Sequence, residues 1–374
     1  MKFSIEKGEF LKGLGRIQAI VEKRTSMPIL ANVLLQATKQ GEEGEIQLAA
    51  TDLEVGIRGI HTANVEETGG LTVLAKKLYE IVRELPDEMI QLASTANSYL
   101  SIECGRSNFT LAGTAAEEYP TLPNFDAKKT VPIQTAVLGS MIERTLYAAS
   151  MDETRYNLNG VYLEVLEETG RIRMVATDGH RLSLIDRTPG EDVSALGGGV
   201  IIPRKGLSEL KRLVDEDEIE EIELGFEANH GLARRGRVTL SMRLIEGEFP
   251  NYDQVIPKEL KRRIALPCDT LIQALRRVVL LSSERSRAVK LEISEGNLAI
   301  SSNNPDLGDA HEDIDIDFSG ETLSIGFNAR YLLDALGSMH AKEIFLGLQD
   351  ELSPVKILPT DDEDSFAVVM PMRI

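Results

Sequence analysis

The stretch Val175-Ala-Thr-Asp-Gly-His-Arg-Leu-Ser183 lies near the middle of a chain of 374 residues. Its Asp178-Gly179 pair is a turn signal, and the apolar residues on both sides predict strands. A hydroxyl, a carboxylate, an imidazole and a guanidinium stand together in this short run. The stretch is therefore a candidate active site or one wall of a docking groove, and the rest of the chain must decide between them.

The Thr-Asp pair of this stretch belongs to an internal repeat. Thr51-Asp52 precedes Thr177-Asp178 by 126 residues, and Ser302-Asn303 follows 125 residues after it. Helix and strand patterns recur in the same order at this interval, which indicates repeated structural units. Three such units fill the chain. We predict three repeated α+β domains, at residues 1–127, 128–255 and 256–374.

Each repeat contains two amphipathic helix patterns, in which apolar residues recur every three or four positions. The six patterns cover residues 8–25, 75–85, 136–149, 203–214, 269–281 and 327–342. Between them, the runs 46–60 and 173–186 are predicted as long strands. Because sequential strands are joined by short turns rather than by helices, we expect antiparallel sheets with both helices of a repeat on one face.

The charge of the chain is unevenly distributed. The formal net charge is −19, which argues against a nucleic-acid partner. The six helix patterns nevertheless carry 16 Lys and Arg against 8 Asp and Glu, whereas the rest of the chain carries 25 against 52. Two interpretations stay open at this point: an acidic protein with ordinary helices, or a basic helical surface combined with an acidic outer surface.

Composition excludes several classes of protein. No run of eighteen apolar residues occurs and no signal peptide is recognisable at the start, so we expect a soluble cytoplasmic protein without a membrane partner. Cys104 and Cys268 are far apart and form no CxxC motif, which excludes structural zinc and argues against a disulfide framework. We expect no metal and no cofactor.

Two further clusters were considered for chemistry. A hydrolase using Asp178, His180 and Ser183 lacks the GxSxG-type elbow, and in an extended run these polar groups would not converge. The alternating Asp313, Asp315 and Asp317 place three carboxylates on one strand face. A solvated strand face explains them better than a cation site does. We therefore expect no catalytic residue.

Several stretches of the sequence match one family in order along the whole chain. They are Ala176-Thr-Asp-Gly-His-Arg-Leu182, Pro203-Arg-Lys-Gly206, Glu246-Gly-Glu-Phe-Pro-Asn-Tyr252, Ser302-Asn-Asn-Pro305, Ile325-Gly-Phe-Asn328 and Val368-Val-Met-Pro-Met-Arg373. With these motifs the chain resembles the bacterial DNA polymerase III beta subunit, or beta sliding clamp, family. The resemblance implies a DNA sliding clamp that is not an enzyme: a head-to-tail homodimeric ring, with helices around duplex DNA and sheets outside, that makes replication processive.

The resemblance also implies functional residues. Arg24 matches a DNA-contacting arginine of the family. Helix position alone adds Lys12, Arg16, Lys76, Arg204, Lys205, Lys211, Arg212 and Arg276 as candidates for DNA binding. The partner-peptide groove would be formed by Leu158, Thr177, Gly179, His180, Arg181, Leu182, Pro250, Val255, Asn328, Tyr331, Val368, Met370, Pro371, Met372 and Arg373. The dimer contact would use Phe109 on one protomer and Leu280 with Leu281 on the other.

Implied partners are double-stranded DNA of any sequence, a second copy of the chain, the replicative polymerase alpha subunit, the clamp loader delta subunit and other proteins with a clamp-binding motif. The chain departs from the family pattern at Gln254, Ser286 and Pro354, where an arginine, an aromatic residue and a serine are expected. These departures leave the peptide preference open. Two rival functions stay in view, the hydrolase described above and an acidic scaffold that binds only proteins.

Overall fold

The computed structural model describes residues 1–21, 27–41, 43–123, 129–216 and 219–373. Within these ranges lie six α-helices: Lys7–Ile20 (α1), Ala75–Glu84 (α2), Thr135–Leu146 (α3), Arg204–Val214 (α4), Cys268–Val278 (α5) and Ala329–Met339 (α6). All six predicted helix patterns are confirmed. The first was predicted too long, because α1 ends at Ile20, where Val21 takes an extended conformation; residues 22–25 of that pattern lie outside the described ranges.

Strands make up most of the remaining structure. They are Lys2–Glu6 (β1), Asn32–Gln40 (β2), Glu43–Thr51 (β3), Val55–Thr62 (β4), Asn64–Glu67 (β5), Gly69–Leu74 (β6), Met89–Ser94 (β7), Tyr99–Cys104 (β8), Ser107–Ala115 (β9), Val131–Gln134 (β10), Gly160–Leu166 (β11), Arg171–Thr177 (β12), Arg181–Arg187 (β13), Val200–Pro203 (β14), Glu221–Glu227 (β15), His230–Arg235 (β16), Val238–Arg243 (β17), Arg262–Pro267 (β18), Ala288–Ser294 (β19), Asn297–Asn304 (β20), Gly308–Asp315 (β21), Leu323–Asn328 (β22), Glu343–Leu348 (β23), Val355–Pro359 (β24) and Ser365–Val369 (β25). Neighbouring strands pair antiparallel, as predicted.

The turn predicted at Asp178-Gly179 is confirmed, and it divides the run 173–186, which was predicted as one long strand, into β12 and β13. Thr177 Oγ1 donates to the carbonyl of Arg181 at 2.7 Å. Asp178 Oδ1 accepts from the backbone N–H groups of His180 and Arg181 at 2.9 and 3.0 Å. Gly179 has a φ of 85°, a conformation that glycine adopts without steric cost. The Thr-Asp pair thus builds the turn with its own side chains.

The strand predicted at 46–60 is divided in the same way, into β3 and β4. Thr51 Oγ1 donates to the carbonyl of Val55 at 3.0 Å, and Asp52 Oδ1 accepts from the N–H groups of Glu54 and Val55 at 2.9 and 2.7 Å. Leu53 takes the place of Gly179 and has a φ of 77°. The hydrogen bonds are the same as in the second repeat, so the two turns are structural equivalents.

The chain forms two compact units. The first unit comprises Met1–Ala136 and Lys205–Leu244, and the second comprises Val137–Arg204 and Ile245–Ile374. The first contains one sheet in the order β10-β15-β16-β17-β4-β3-β2-β6-β9-β8-β7-β1-β5; the second contains the sheets β14-β11-β12-β13-β25-β24-β23-β18 and β21-β20-β19-β22. The middle predicted domain contributes to both units, and the boundaries after residues 127 and 255 stay a prediction.

Within each unit, a strand from one repeat pairs with a strand from the next. In the first unit β4 pairs with β17, with Ile57 opposite Leu240. In the second unit β13 pairs with β25, with Leu182 opposite Val368. The two pairings join equivalent strands, since β4 and β13 both follow a Thr-Asp turn. The backbone hydrogen bonds of a sheet therefore continue from one repeat into the next.

Candidate peptide groove and nucleic-acid interface

An apolar surface forms where β13 meets β25. Leu182 and Val368 are buried opposite each other and belong to one apolar cluster. Tyr252 and Val255, from the linker after β17, pack against this cluster. Because side chains alternate along a strand, Ser183 lies on the other face of the sheet. The face that carries Leu182 thus has the apolar floor that a docked peptide side chain needs.

The end of the chain adds a second wall to this surface. β25 ends at Val369, and the N–H of Met370 then donates to the carbonyl of His180 at 2.9 Å. The His180 ring is exposed and stacks on Tyr331, with ring centroids 6.0 Å apart and planes 12° apart. Met370 and Tyr331 are half-buried. The turn of the second repeat, the chain terminus and α6 therefore meet at one place.

The largely buried side chain of Arg181 connects the elements that meet at this place. Its Nη1 lies 2.6 Å from Asp334, its Nε lies 3.1 Å from Asp178, and its Nη2 donates to the carbonyl of Tyr147 at 2.7 Å. The guanidinium carbon lies 5.3 and 4.7 Å from the ring centroids of Tyr147 and Tyr331. Only 10% of the Arg181 side chain is exposed. The Tyr147 hydroxyl is buried too, and this burial raises its pKa. Arg181 is a structural cation with its charge already paired.

The same geometry separates the residues of the hydrolase hypothesis. Ser183 is buried, and its hydroxyl donates to the carbonyl of Arg144 in α3. The carboxylate of Asp178 is engaged by the turn N–H groups and by Arg181. The His180 ring is on the exposed side, against Tyr331. Ser183 and His180 thus do not form the serine–histidine contact that nucleophilic catalysis requires.

The structure places the other predicted groove residues as follows. Leu158 is buried in the short turn Tyr156–Leu158, and Pro250 is exposed in the linker after β17. Asn328 caps α6 by accepting from the N–H of Arg330 at 2.9 Å. Beyond Met370, the residues Pro371, Met372 and Arg373 line a cavity of about 510 Å³ together with Lys290 and Leu352, and the N–H of Met372 donates to the carbonyl of Gly326 at 2.8 Å.

In the first repeat the equivalent surface is closed by the chain itself. Gly56 stands where Leu182 stands in the second repeat, and a Cβ there would lie 2.4 Å from Cδ2 of Leu122. Leu122 belongs to the linker between the first and second repeats, and Tyr252 belongs to the linker between the second and third. Opposite Gly56 in the strand pairing, Ser241 is buried. Of these two repeats, only the second has an open apolar slot.

Most residues predicted to contact DNA form ion pairs within the protein. Arg16 contacts Glu216 at 2.8 and 2.6 Å, Lys211 contacts Asp215 at 2.6 Å, and Arg212 contacts Glu209 at 2.9 Å. Lys205 pairs with Asp52, whose side chain is buried. Lys76 lies 3.8 Å from Glu80. These pairs anchor the cations and reduce the positive charge that the helices present.

The remaining candidates differ in environment. Lys12 and Arg276 are exposed on α1 and α5, whereas Arg204 is half-buried at the start of α4, and burial lowers its pKa. Arg24 lies outside the described residues. At the predicted dimer contact, Phe109 on β9 and Leu280 after α5 are exposed, and Leu281 is half-buried.

Comparison with known proteins identifies the family. Models of the DNA polymerase III beta subunit match the chain in three consecutive parts: the N-terminal domain at residues 1–123, the central domain at 132–251 and the C-terminal domain at 253–373. The chain belongs to this family. The resemblance carried by the sequence motifs is confirmed, and with it the fold class of three repeated clamp domains.

Relatives of this family match over the full length. The beta sliding clamp of Pseudomonas putida is 37% identical over 377 residues, and that of Caulobacter vibrioides is 36% identical over 378 residues; both alignments cover 100% of each chain. A crystal structure of a sliding clamp from Bartonella birtlesii, bound to griselimycin, has a TM-score of 0.94 and 35% identity over 100% of both chains.

Membership of this family establishes the general function. The chain is a DNA sliding clamp of the DNA polymerase III beta family, a processivity factor without an enzymatic activity, so the hydrolase hypothesis is wrong. Among the described residues, no helix is long and apolar enough to cross a lipid bilayer.

Three residues of these surfaces were missed by sequence reasoning. Asp334 and Tyr147 hold Arg181, and Glu216 holds Arg16. Asp334 is 153 residues and Tyr147 is 34 residues from Arg181, and Glu216 is 200 residues from Arg16, so no local sequence pattern predicts these contacts.

The Arg181 contacts generate a stability prediction. Replacing Arg181 by Met removes the cation paired with Asp178 and the nearer of the two cations beside Asp334. We expect the free energy of unfolding to fall by about 3 kcal/mol. Arg330→Met is the matched control, because Arg330 is exposed and lies 3.9 Å from the same Asp334 carboxylate; we expect a loss below about 1 kcal/mol. Urea denaturation of the full chain measures both. Equal losses would contradict the role given to Arg181.

Proposed function

We propose that the protein acts as a head-to-tail homodimeric ring that encircles duplex DNA and tethers polymerases through the groove at His180. The observation that carries the ring is the repeated edge pairing of the sheets. β4 pairs with β17 and β13 pairs with β25, so each repeat offers one strand to the next. In a chain of three repeats, this pattern leaves one strand over at each end.

The two remaining edges belong to β21 and β9. In the third repeat β21 is the edge strand of its sheet, at the position that β4 and β13 occupy in theirs. In the first repeat β9 corresponds to β17 and β25. Its residues 113–115 pair with β6, whereas residues 107–112 pair only with β8 among the described strands and leave their other side as an edge. A second copy of the chain supplies the missing partner for each edge.

The side chains at these edges suit such a contact. Long exposed edge strands template pairing with other chains, and they are usually blocked or covered. Phe109 stands exposed on β9, and Leu280 stands exposed in the turn after α5, which contacts β21. Because the two edges are different, a contact between them is heterologous, and two copies close into a ring only if both contacts form.

Mass measurement of point variants tests this closure. We expect the wild-type protein to have a solution mass of about 82 kDa, twice the 41.2 kDa chain, and Phe109→Asp or Leu280→Asp to shift it towards the monomer. Leu352→Asp, at an exposed leucine away from both edges, is the control and should leave the mass unchanged. Mixing the Phe109→Asp and Leu280→Asp proteins should restore dimers through one intact contact. A wild-type monomer, or no restoration on mixing, would contradict a head-to-tail ring.

Within the ring, basic residues of the helices would face the duplex. Contacts to phosphates are independent of sequence and sensitive to salt, as sliding requires. The excess of acidic residues elsewhere would keep the duplex in the hole. Lys12, Lys76, Arg212 and Arg276 are the exposed cations among the predicted residues that the structure describes. An acidic scaffold that binds only proteins would show no such salt-dependent binding.

We further propose that the polymerase alpha subunit, the clamp loader delta subunit and other partners insert a short peptide into the apolar slot over Leu182 and Val368. The exposed His180 ring and Met370 would cover the peptide's main chain, while the slot takes a leucine or aromatic side chain. The departures from the family pattern at Gln254, Ser286 and Pro354 would adjust the preference among partner sequences.

A substitution at His180 separates peptide docking from ring formation. We expect His180→Ala to weaken binding of a fluorescent peptide ending in leucine and phenylalanine by about tenfold, since truncating a contact at the centre of an interface commonly costs above 1 kcal/mol. The dimer mass should be unchanged, because His180 lies on neither β9 nor β21, the two strands of the proposed dimer contact. His340→Ala, at another exposed histidine, is the control. Unaltered peptide affinity would overturn the groove assignment.

A further inference from the structure

Two arginines predicted to face DNA are paired with carboxylates in different ways. Nη1 of Arg212 donates to both oxygens of Glu209 at 2.9 and 3.0 Å. Of these side chains, 64% of Arg212 and 9% of Glu209 is exposed. Glu209 thus holds Arg212 from the protein side, while most of the Arg212 side chain remains exposed to an approaching phosphate.

Arg16 is engaged along the edge that would bind a phosphate. Its Nε donates to Oε1 of Glu216 at 2.8 Å and its Nη2 to Oε2 at 2.6 Å. This side-on, two-bond arrangement is the one in which arginine also binds a phosphate group. Only 16% of the Arg16 side chain is exposed, against 32% of Glu216. The carboxylate therefore occupies the place where a phosphate would bind.

The position of Glu216 is fixed by a buried arginine. Arg235 is almost fully buried, and its guanidinium donates to the carbonyl oxygens of Leu213, Glu216 and Ile219. These bonds hold the backbone just beyond the end of α4. The carboxylate consequently stays beside α1, at a cavity of about 330 Å³ that Arg16, Arg212 and Glu216 line together.

We propose that Glu216 competes with DNA phosphates for Arg16 and so weakens the grip of the clamp on the duplex. This inference rests on the proposed DNA-encircling function. A phosphate reaches Arg16 only when Glu216 is displaced, and an unpaired carboxylate then lies next to the negatively charged backbone. Exchange of one anion for another releases fewer counterions than direct binding to a free cation does. Weak contacts that exchange readily suit a protein that must move along DNA.

The experiment compares four variants of the full-length protein with the wild type. Glu216→Gln keeps the size of the side chain and removes its charge; Arg16→Ala removes the contested cation, and the third variant combines both changes. Glu223→Gln is the control for net charge, because Glu223 on β15 pairs with Arg234 on β16 and neither residue lies on a helix. Binding of a fluorescent linear duplex is measured by anisotropy across a series of salt concentrations, and thermal melting checks that each variant is folded.

We expect Glu216→Gln to bind the duplex more tightly, with a plot of log K against log salt that is steeper by about 0.9, the contribution of one phosphate contact. The gain should disappear when Arg16→Ala is also present, and Glu223→Gln should match the wild type. An unchanged slope for folded Glu216→Gln, or a gain that persists without Arg16, would overturn the proposal. A wild-type protein whose binding does not depend on salt would instead contradict the DNA tether itself.

Discussion

Pairing of strand edges between repeats is the constraint on which the rest of the structure depends. A sheet edge exposes unpaired N–H and C=O groups, which must be paired, blocked or covered. In this protein β13 pairs with β25 and β4 pairs with β17, so a strand of the next repeat covers the edge strand of each of these two sheets. The same rule, applied to the edges that one chain leaves over, leads to the proposed ring. The binding groove also depends on it, because Leu182 and Val368 meet only through this pairing.

One turn motif has acquired two uses in the repeats. The Thr-Asp turns at Thr51 and Thr177 share the same hydrogen bonds. In the first repeat, Gly56 admits Leu122 from the chain's own linker, and the slot is filled. In the second, Leu182 forms an apolar floor, and the chain terminus at Met370 adds a wall held by the backbone of His180. In the repeated scaffold, the second repeat thus has an open apolar slot, whereas the side chain of Leu122 fills the equivalent place in the first.

The sequence predicts the helices well, since spacing such as that of Leu207, Leu210 and Leu213 puts all three on one buried face. It predicts the strand at 46–60 as continuous, because Leu53 gives no turn signal and the Thr51 and Asp52 side chains bend the backbone where apolar alternation suggests extension. At 173–186 the Asp178-Gly179 signal does reveal the turn, although the run as a whole was predicted as one strand. The groove residues followed from resemblance to a family rather than from spacing. The pairing of Arg16 with Glu216, 200 residues away, could not be predicted, because charge patterns do not show which ions meet in space.

The proposed ring would hold DNA by topology rather than by a tight binding site. The most direct measurement loads the clamp on a labelled circular duplex with a clamp loader, and then follows retention before and after a single cut linearises the DNA. We expect long retention on the closed circle, at salt concentrations that abolish ordinary binding, and rapid loss from the cut ends. Equal retention on the circular and linear molecules would contradict it.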